Sequence, residues 1–460
     1  MPKTQTLIPR PDYLAKLERH KERTDLIKIV TGVRRCGKST LFDIYQEKLR
    51  SEGVGDDQIL VIKFEDFANK PLQDGMALHK FVEDHVAKTG KLTYVFLDEV
   101  QFVSDFAEVI NSLRLRDNID LYVTGSNSQL LPHNLPKILG GRYIQIHMFP
   151  LSFKEYGEAY LKKVVGNKSP ASTFDWNEIF QHYLEYSSFP ETLAYLDPDR
   201  FPPIGKGMIS SSAFDNNEGV LTKLLVRKEN SWDGKAAREY LADIYNSILV
   251  RDIMTHEGVK ELPQLTRVIN FMFSNIGSET SINNMMGVIN NEFKLRPQDK
   301  TLYAPMLEIY LEALLDSFLF YKADVQHFGK ELLRTNAKYY AVDVGLRYHL
   351  LGGAPSKDAG HMLENIVYLE LLRRGYKVEV GKVKITAGNT EIDFVAQKDG
   401  GKIEYYQVAQ SVMDEATLAR ELAPLEAIKD NHPKFILTRD LDNNDYAGIQ
   451  HLNVLKWLLG

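Results

Sequence analysis

One stretch decides the fold of this chain: Gly32-Val33-Arg34-Arg35-Cys36-Gly37-Lys38-Ser39. It matches G-x-x-x-x-G-K-[ST], the pattern of a phosphate-binding P-loop. The apolar residues 26–30 before it predict a buried strand, and residues 40–45 after it open a helix that is apolar on one side. The motif needs this context, because backbone N–H groups and the helix N-terminus then face the phosphates. The stretch therefore predicts a nucleotide site.

Two side chains of the P-loop have predicted roles of their own. Lys38 is expected to reach the phosphate oxygens as a catalytic residue, and Ser39 is expected to bind Mg²⁺. The residues predicted to bind nucleotide are Gly32, Arg34, Arg35, Cys36, Gly37, Lys38, Ser39 and Thr40. Cys36 is the single cysteine of the chain, so no disulfide framework exists and a reducing, cytoplasmic compartment is expected.

Length and composition limit the class of protein. At 460 residues the chain is too long for one core, and about three domains are expected. A hydrophobic content of 44% and a charged content of 26% are those of an ordinary soluble protein. We find no run of about 18 apolar residues that predicts a membrane span. Residues 1–4 lack the apolar stretch of a signal peptide, so none is expected. The net charge of −6 disfavours a wholly basic nucleic-acid coat but leaves local basic patches open.

Further strands carry the next polar residues of the predicted site. Residues 59–64 and 94–99 predict the second and third strands, and the third ends in Asp98-Glu99. This is a Walker B pattern, in which apolar residues bury the strand and the acids emerge at its carboxyl end. Asp98 is expected to hold Mg²⁺ with Ser39, and Glu99 is expected to polarise the attacking water.

Two candidate residues follow from the later strands. Residues 119–124 predict a fourth strand that runs into Gly125-Ser126-Asn127-Ser128. Asn127 is the predicted polar contact to the γ-phosphate and water, with Ser126 and Ser128 as alternates. Turn chemistry is the alternative explanation, because Gly, Ser and Asn commonly form turns. Arg142 precedes a fifth strand at 143–146, where ring ATPases place an arginine that reaches the nucleotide of a neighbouring subunit. An exposed structural arginine is the alternative. Strands alternating with helices predict a parallel α/β sheet with its ligand at the strand tips.

The motifs together resemble a known family. Five segments are similar to prokaryotic AAA+-type ATPases of the AAA_14/DUF4143 family: Val33-Arg34-Arg35-Cys36-Gly37-Lys38-Ser39, Leu97-Asp98-Glu99-Val100-Gln101, Thr124-Gly125-Ser126-Asn127-Ser128, Gly141-Arg142-Tyr143 and Pro150-Leu151-Ser152-Phe153. The resemblance covers essentially the whole chain. It implies ATP rather than GTP, and it implies the roles given above for Lys38, Ser39, Asp98, Glu99, Asn127 and Arg142. Ser187-Ser188-Phe189-Pro190 departs from the usual Gly-Gly-Phe-Pro, and no second sensor arginine is named.

The middle of the chain predicts a helical lid and then a winged helix-turn-helix. We expect an ATPase domain at 1–150, a lid and connector at 151–257, and a winged helix at 258–352. Within the winged helix, the pattern predicts helices near 265–273, 281–293 and 304–315 and strands near 318–321 and 338–342. Such a module often places its third helix in DNA. The basic residues predicted to contact phosphates are Lys294, Arg296, Lys300, Lys322, Lys330 and Arg334. Winged helices also pack on proteins, and the third helix is acidic at Glu308, Glu312 and Asp316.

Residues 358–460 predict a last α/β domain. A helix with Glu364, a strand with Asp393 and a strand with Gln407 resemble the PD-(D/E)xK nuclease fold, which includes Holliday-junction resolvases. Those sites bind Mg²⁺ with two or three carboxylates, and a lysine two residues after the last acid helps to activate water. Here the third position is neutral Gln407 and the lysine position is Ala409. We therefore expect a degenerate nuclease that binds DNA or protein without cutting it.

Three functions follow as hypotheses. The first is a cytoplasmic ATP- and Mg²⁺-dependent AAA+ protein that assembles as a ring, with a hexamer expected, and binds or remodels DNA, with branched DNA resting on analogy alone. The second is a signalling or defence switch whose ATP state controls a protein partner. The third is a metal-dependent nuclease coupled to an ATPase.

Overall fold

The computed structural model describes the following residues: 7–126, 138–165, 175–195, 234–256, 258–292, 302–327, 336–353, 358–385, 388–398, 400–441 and 443–460. The first part of the chain alternates strands with helices. Its helices are α1 Pro11–Glu18, α2 Lys38–Ser51, α3 Gly75–Thr89 and α4 Phe106–Leu113. Its strands are β1 Ile27–Thr31, β2 Ile59–Lys63, β3 Thr93–Asp98, β4 Ile119–Gly125 and β5 Tyr143–His147. These confirm the strands predicted around the P-loop.

The five strands β1 to β5 form a parallel sheet in the order β2-β3-β4-β1-β5. Apolar, largely β-branched strands such as β1 are buried along their whole length, as expected for a sheet that is covered on both faces. One face packs Phe96 and Tyr122 against Phe42 and Tyr45 of α2. The other face packs aliphatic residues against α3 and α4. The sheet order places the carboxyl ends of β1, β3 and β4 side by side.

The next segments are helical. The helices are α5 Phe153–Val165, α6 Trp176–Tyr186 and α7 Gly234–Ile248, and a π-helical segment, Leu249–Ile253, follows directly after α7. Helices α8 Leu262–Ser274, α9 Ile282–Glu292 and α10 Ala304–Asp316 then precede strands β6 Phe320–His327 and β7 Ala337–Ala341. Strands β6 and β7 are antiparallel, and a bridge joins Thr280, between α8 and α9, to Ala337. This is the pattern of a winged helix, as predicted.

The last part of the chain contains a mixed sheet. Its helices are α11 Val344–Leu350, α12 Ala359–Arg373, α13 Glu415–Ala427 and α14 Val454–Leu459. Its strands are β8 Lys377–Ile385, β9 Gly388–Lys398, β10 Lys402–Val408, β11 Lys434–Thr438, β12 Asn444–Tyr446 and β13 Ile449–Asn453. They run in the order β12-β13-β11-β10-β9-β8, with both parallel and antiparallel pairs. The α/β fold class is confirmed.

The structure divides into two units. The first contains residues 1–150, 246–324 and 335–342, and the second contains 151–245, 325–334 and 343–460. The segments of each unit are thus not consecutive in the chain, and the division into four consecutive domains stays a prediction. Among the described residues we find no helix that is long and apolar enough to cross a membrane.

Candidate functional site

The P-loop connects β1 to α2 through two glycines with positive φ. Gly32 has φ +148°, and a Cβ there would lie 2.1 Å from the backbone oxygen of Met148. Gly37 has φ 106° and caps the N-terminus of α2, which begins at Lys38. Residues with a Cβ rarely adopt such a conformation, so both positions require glycine. The loop therefore has the backbone shape on which the predicted phosphate site depends.

Lys38 is held inside this loop. Its Nζ donates to the carbonyl oxygens of Gly32 at 2.9 Å and Val33 at 3.2 Å, and it lies 3.6 Å from Oε1 of Glu99. The side chain is almost fully buried. The ammonium group thus lies against the P-loop carbonyls and beside Glu99, so the lysine and the Walker B glutamate share one site.

Asp98 and Glu99 end β3 beside the P-loop helix. The hydroxyl of Ser39 hydrogen-bonds to Asp98, and burial raises the pKa of Asp98 against the effect of its bonds to Thr124 and Ser39. A hydroxyl and a carboxylate are hard oxygen ligands of the kind that Mg²⁺ prefers. The residues present therefore fit the predicted magnesium ion, and Ser39 and Asp98 are the side chains that would hold it.

Glu99 has a left-handed backbone, with φ 59°, which is uncommon for a residue with a long side chain. Its Oε2 accepts hydrogen bonds from the backbone N–H of Ser126 at 3.2 Å and from the side chain of Gln101. Burial acts to raise the pKa of Glu99, but Lys38, Gln101 and Arg34 act more strongly together and lower it. Glu99 is therefore a buried carboxylate kept in its charged form, as a residue that polarises water requires.

Thr124 at the end of β4 connects the two acids, and sequence reasoning gave it no role. Its Oγ1 donates to Oδ1 of Asp98 at 2.6 Å and accepts from the backbone N–H of Glu99 at 2.8 Å. Gln101 also had no assigned role, and its amide contacts both Glu99 and Ser126. The available signals were a threonine at a strand tip and a glutamine two residues after the acidic pair.

Arg34 of the P-loop is paired with Asp252, a residue for which the sequence suggested no chemistry. Nε and Nη2 of Arg34 lie 3.0 Å from the two carboxylate oxygens of Asp252, and both side chains are buried. Nη1 donates to Glu65 at 2.8 Å. Burial acts to lower the pKa of Arg34, whereas its bonds to Asp252 raise it above the ordinary value. The guanidinium is thus charged and fixed.

The other predicted nucleotide-binding residues differ in exposure. Cys36 is fully buried, and burial raises the pKa of its thiol, which disfavours a nucleophilic role. Arg35 is exposed and has a left-handed backbone, while Thr40 lies in the first turn of α2. The structure therefore brings Lys38, Ser39, Asp98, Glu99 and Arg34 together.

Arg142 is exposed and lies away from these groups. Its carbonyl accepts from the backbone N–H of Ile27, the first residue of β1, whereas the P-loop follows the last residue, Thr31. Arg142 is therefore at the opposite edge of the sheet from the P-loop of its own chain. Its role at a neighbouring subunit stays a prediction.

Several predicted site residues lie outside the described residues. These are Asn127 and its alternate Ser128, and the DNA-contact candidates Lys294, Arg296, Lys300, Lys330 and Arg334. Their roles stay predictions. Ser126, the described alternate to Asn127, contacts Glu99 through its N–H and lies 3.2 Å from Asp252 through its Oγ.

The nuclease-like residues lie in the mixed sheet of the second unit. Glu364 is on α12, Asp393 on β9 and Gln407 on β10, and all three are buried. Oε1 of Gln407 accepts from the backbone N–H of Asp393 at 3.3 Å, and Oδ2 of Asp393 accepts from the N–H of Val408 at 2.7 Å. A neutral amide thus faces Asp393 where an acid would bind a cation. The set fits a hydrolytic magnesium centre poorly, and its loss of nuclease activity stays a prediction.

Comparison with protein families identifies two segments of the chain. Residues 24–157 match the model of an AAA domain, AAA_14. Residues 228–357 match a domain of unknown function, DUF8612. The resemblance implied DUF4143 at the C-terminus, and that finer assignment stays a prediction. The chain therefore carries an AAA domain, which confirms the expected ATPase class at this level.

The chain also has relatives that match most of its length. An uncharacterized protein of Haemophilus influenzae is 33% identical over 460 residues, which cover 99% of this chain and 100% of the relative. An uncharacterized protein of Methanocaldococcus jannaschii is 27% identical over 410 residues, covering 88% and 79% of the two chains. The ORC2 structure from Aeropyrum pernix is 12% identical, with a TM-score of 0.42 over 81% of this chain and 96% of ORC2. This chain belongs to the family of AAA-domain proteins that includes the Haemophilus influenzae relative.

Proposed function

We propose that the protein binds ATP with Mg²⁺ at the P-loop edge of the parallel sheet and hydrolyses it. One observation carries this proposal: Lys38 Nζ lies 3.6 Å from Glu99, while the adjacent Asp98 hydrogen-bonds to Ser39 at the start of α2. A phosphate-binding lysine, two magnesium ligands and a charged carboxylate thus share one site. This is the set of groups that phosphoryl transfer to water requires.

Each residue has a distinct task in this proposal. Backbone N–H groups of the P-loop and the N-terminus of α2 bind the phosphates, and Lys38 leaves the Gly32 and Val33 carbonyls to donate to phosphate oxygens. Glu99 orients and polarises the attacking water through its charged carboxylate. Mg²⁺ held by Ser39 and Asp98 would neutralise charge that develops on the phosphates.

We further propose that ATP turnover serves the handling of DNA. The support is the winged helix formed by α8, α9, α10, β6 and β7, a module that often docks on DNA. The basic candidates at 294–300 and 330–334 would contact phosphates, and the C-terminal domain would add a second DNA contact without cutting. Branched DNA, including Holliday junctions, is the finest form of this proposal.

Assembly into a ring belongs to the same proposal. Arg142 would then contact the nucleotide of a neighbouring subunit, because it lies far from the P-loop of its own chain. We propose that this ring is a hexamer. We also propose a cytoplasmic location, since Cys36 is the single cysteine of the chain and is a buried free thiol.

The deciding experiment is the ATPase rate of the full chain with duplex, single-stranded and four-way-junction DNA at about 100 mM salt, which limits purely electrostatic binding. Stimulation by one form would support DNA handling and identify the preferred substrate. Turnover without any response to DNA would reject the DNA proposal while retaining the ATPase. Lack of Mg²⁺-dependent turnover under all conditions would reject the ATPase itself.

A second candidate is a switch whose ATP state controls a protein partner. Its support is α10, the helix that would enter DNA, because it exposes the acidic residues Glu308 and Glu312. Carboxylates on that face repel a phosphate backbone. Slow hydrolysis that ignores nucleic acid, together with ATP-dependent binding of a purified partner, would favour this candidate.

A further inference from the structure

The P-loop carries a second buried cation besides Lys38. Arg34 makes a two-point pair with Asp252, with both N···O distances at 3.0 Å, although the two residues are 218 positions apart in the chain. Ser126 completes the pair, since its Oγ lies 3.4 Å from Arg34 Nη2 and donates to Asp252 at 3.2 Å. Asp252 lies in the π-helical segment Leu249–Ile253, a rare geometry that is frequent at functional sites.

The position of this pair links it to hydrolysis. Ser126, which contacts Arg34 through its hydroxyl, also donates its backbone N–H to Glu99. The guanidinium is therefore separated from the water-polarising carboxylate by one residue. Water that attacks a γ-phosphate would lie beside Glu99, so the γ-phosphate would lie in the same part of the site as Arg34.

The two carboxylate partners of the Arg34 guanidinium differ in how readily a phosphate can replace them. Asp252 holds Nε and Nη2 with a side chain that is only 4% exposed. Glu65 holds Nη1 with a side chain that is 46% exposed and that also contacts Arg251 at 3.0 Å. A solvent-exposed ion pair is worth little, so a phosphate oxygen can replace Glu65 at Nη1 while Asp252 keeps the plane of the guanidinium fixed.

We propose that Arg34 contacts the γ-phosphate within its own subunit and that Asp252 is the positioning residue that aims it. This inference rests on the proposed ATP hydrolysis and deepens it, because it names a second cation that distinguishes ATP from ADP. In other phosphoryl-transfer sites, an arginine of the same chain stabilises the charge of the transition state. A buried guanidinium without a partner would be destabilising. Asp252 compensates the charge of Arg34 when no phosphate is bound.

The test compares nucleotides that differ only in the γ-phosphate. Calorimetry on the full chain would give the affinities for ADP and for a non-hydrolysable ATP analogue, both with Mg²⁺, and steady-state assays would give kcat and KM. For Arg34→Ala we expect ADP affinity within about two-fold of the wild type, an analogue affinity about 10-fold weaker, and kcat about 100-fold lower. For Asp252→Asn we expect the same direction with smaller changes, and a larger effect on kcat than on KM.

Two further variants control this test. Arg34→Lys keeps the charge but loses the two-point geometry, so it should reduce the ratio of analogue to ADP affinity even if Arg34→Ala fails to fold. Arg251→Ala removes an exposed arginine that also binds Glu65 but leaves the pair of Arg34 with Asp252, and its ratio should equal that of the wild type. The inference is overturned if the wild type hydrolyses ATP and the Arg34 variants keep the wild-type ratio. It is also overturned if both affinities fall equally with the melting temperature, because that is the result of a structural pair. A wild type that binds neither nucleotide would instead refute the proposed function.

Discussion

Thr124 Oγ1 lies 2.6 Å from Asp98 Oδ1, across the interface between neighbouring strands β4 and β3. The same hydroxyl accepts the backbone N–H of Glu99 at 2.8 Å. One side chain thus contacts the proposed magnesium ligand and the backbone from which Glu99, the carboxylate proposed to polarise water, extends. This relationship makes Thr124 a positioning residue and leads to the first prediction.

Replacing Thr124 by valine removes the hydroxyl but keeps the size and branching of the side chain. We expect ATP turnover to fall about 10- to 100-fold and the Mg²⁺ requirement to rise, since Asp98 loses a bond that orients it and the N–H of Glu99 loses its acceptor. Leaving this buried N–H unpaired should also cost about 1–3 kcal/mol in the free energy of unfolding. Magnesium titrations of the ATPase rate and chemical denaturation would measure both effects.

Thr124→Ser is the matched control, because it retains the hydroxyl and should keep most of the activity. Equal activity of the serine and valine variants would show that the hydroxyl does not position the acids.

The second prediction separates binding from hydrolysis. Lys38→Ala should sharply weaken ATP binding, because it removes a buried cation whose Nζ lies against the P-loop carbonyls. Glu99→Gln should retain binding and lose turnover, since the amide keeps the shape but cannot act as a charged base. Nucleotide-binding titrations beside ATPase rates would test this, and equal loss of binding in both variants would contradict the assigned roles.

The third prediction concerns action between subunits. Arg142 is exposed and at the opposite edge of the sheet from its own P-loop, so its proposed contact is with the nucleotide of a neighbouring subunit. Arg142→Ala should therefore bind ATP normally but hydrolyse it slowly. Mixing this variant with Lys38→Ala protein should restore activity at interfaces that combine an intact P-loop with an intact arginine. If the mixture stays inactive at concentrations where the protein self-associates, action on a neighbour loses its support.

The fourth prediction uses the acid chemistry of Asp98. Burial raises the pKa of Asp98, so the folded state keeps a proton to a higher pH than the unfolded chain. The charged form therefore lowers the free energy of unfolding once the pH exceeds the folded pKa, and this penalty disappears below the unfolded pKa, near about 4. In Mg²⁺-free buffer, Asp98→Asn should raise the melting temperature at about pH 8 and change it little at about pH 4.

The same Asp98→Asn substitution should abolish Mg²⁺-dependent turnover. Thermal unfolding across this pH range and ATPase assays would measure the two effects on one protein. A melting temperature that falls at about pH 8 would show that the carboxylate stabilises the fold, contrary to the effect of its burial.

Much of the fold follows from local sequence. The strand before Gly32 and the helix after Gly37 are visible because a buried parallel strand is a short apolar run and a P-loop has a fixed spacing. The winged helix and the strands with Asp393 and Gln407 follow in the same way from periodicity and turns. What local sequence does not show is that β6 pairs with β7 through residues 320–324 and with β8 through residues 325–327. Pairing between distant strands depends on the packing of whole segments.

The residues of the candidate site likewise fall into two groups, those that local sequence predicts and those that only the folded structure brings to the site. The sequence by itself determined Lys38, Ser39, Asp98 and Glu99, because these residues belong to two motifs whose chemistry depends on short spacings. Only the tertiary structure decided that Thr124 and Asp252 lie at the site, which they reach from a neighbouring strand and from a segment 218 residues beyond Arg34. A threonine at a strand tip and an aspartate in a helical segment are common, and only the distance to the acids or to the guanidinium distinguishes these two. Hydrogen bonds join atoms that lie within about 3 Å of each other. Residues that are distant in the chain reach such distances only when the chain folds, so their order in the sequence does not reveal the contact.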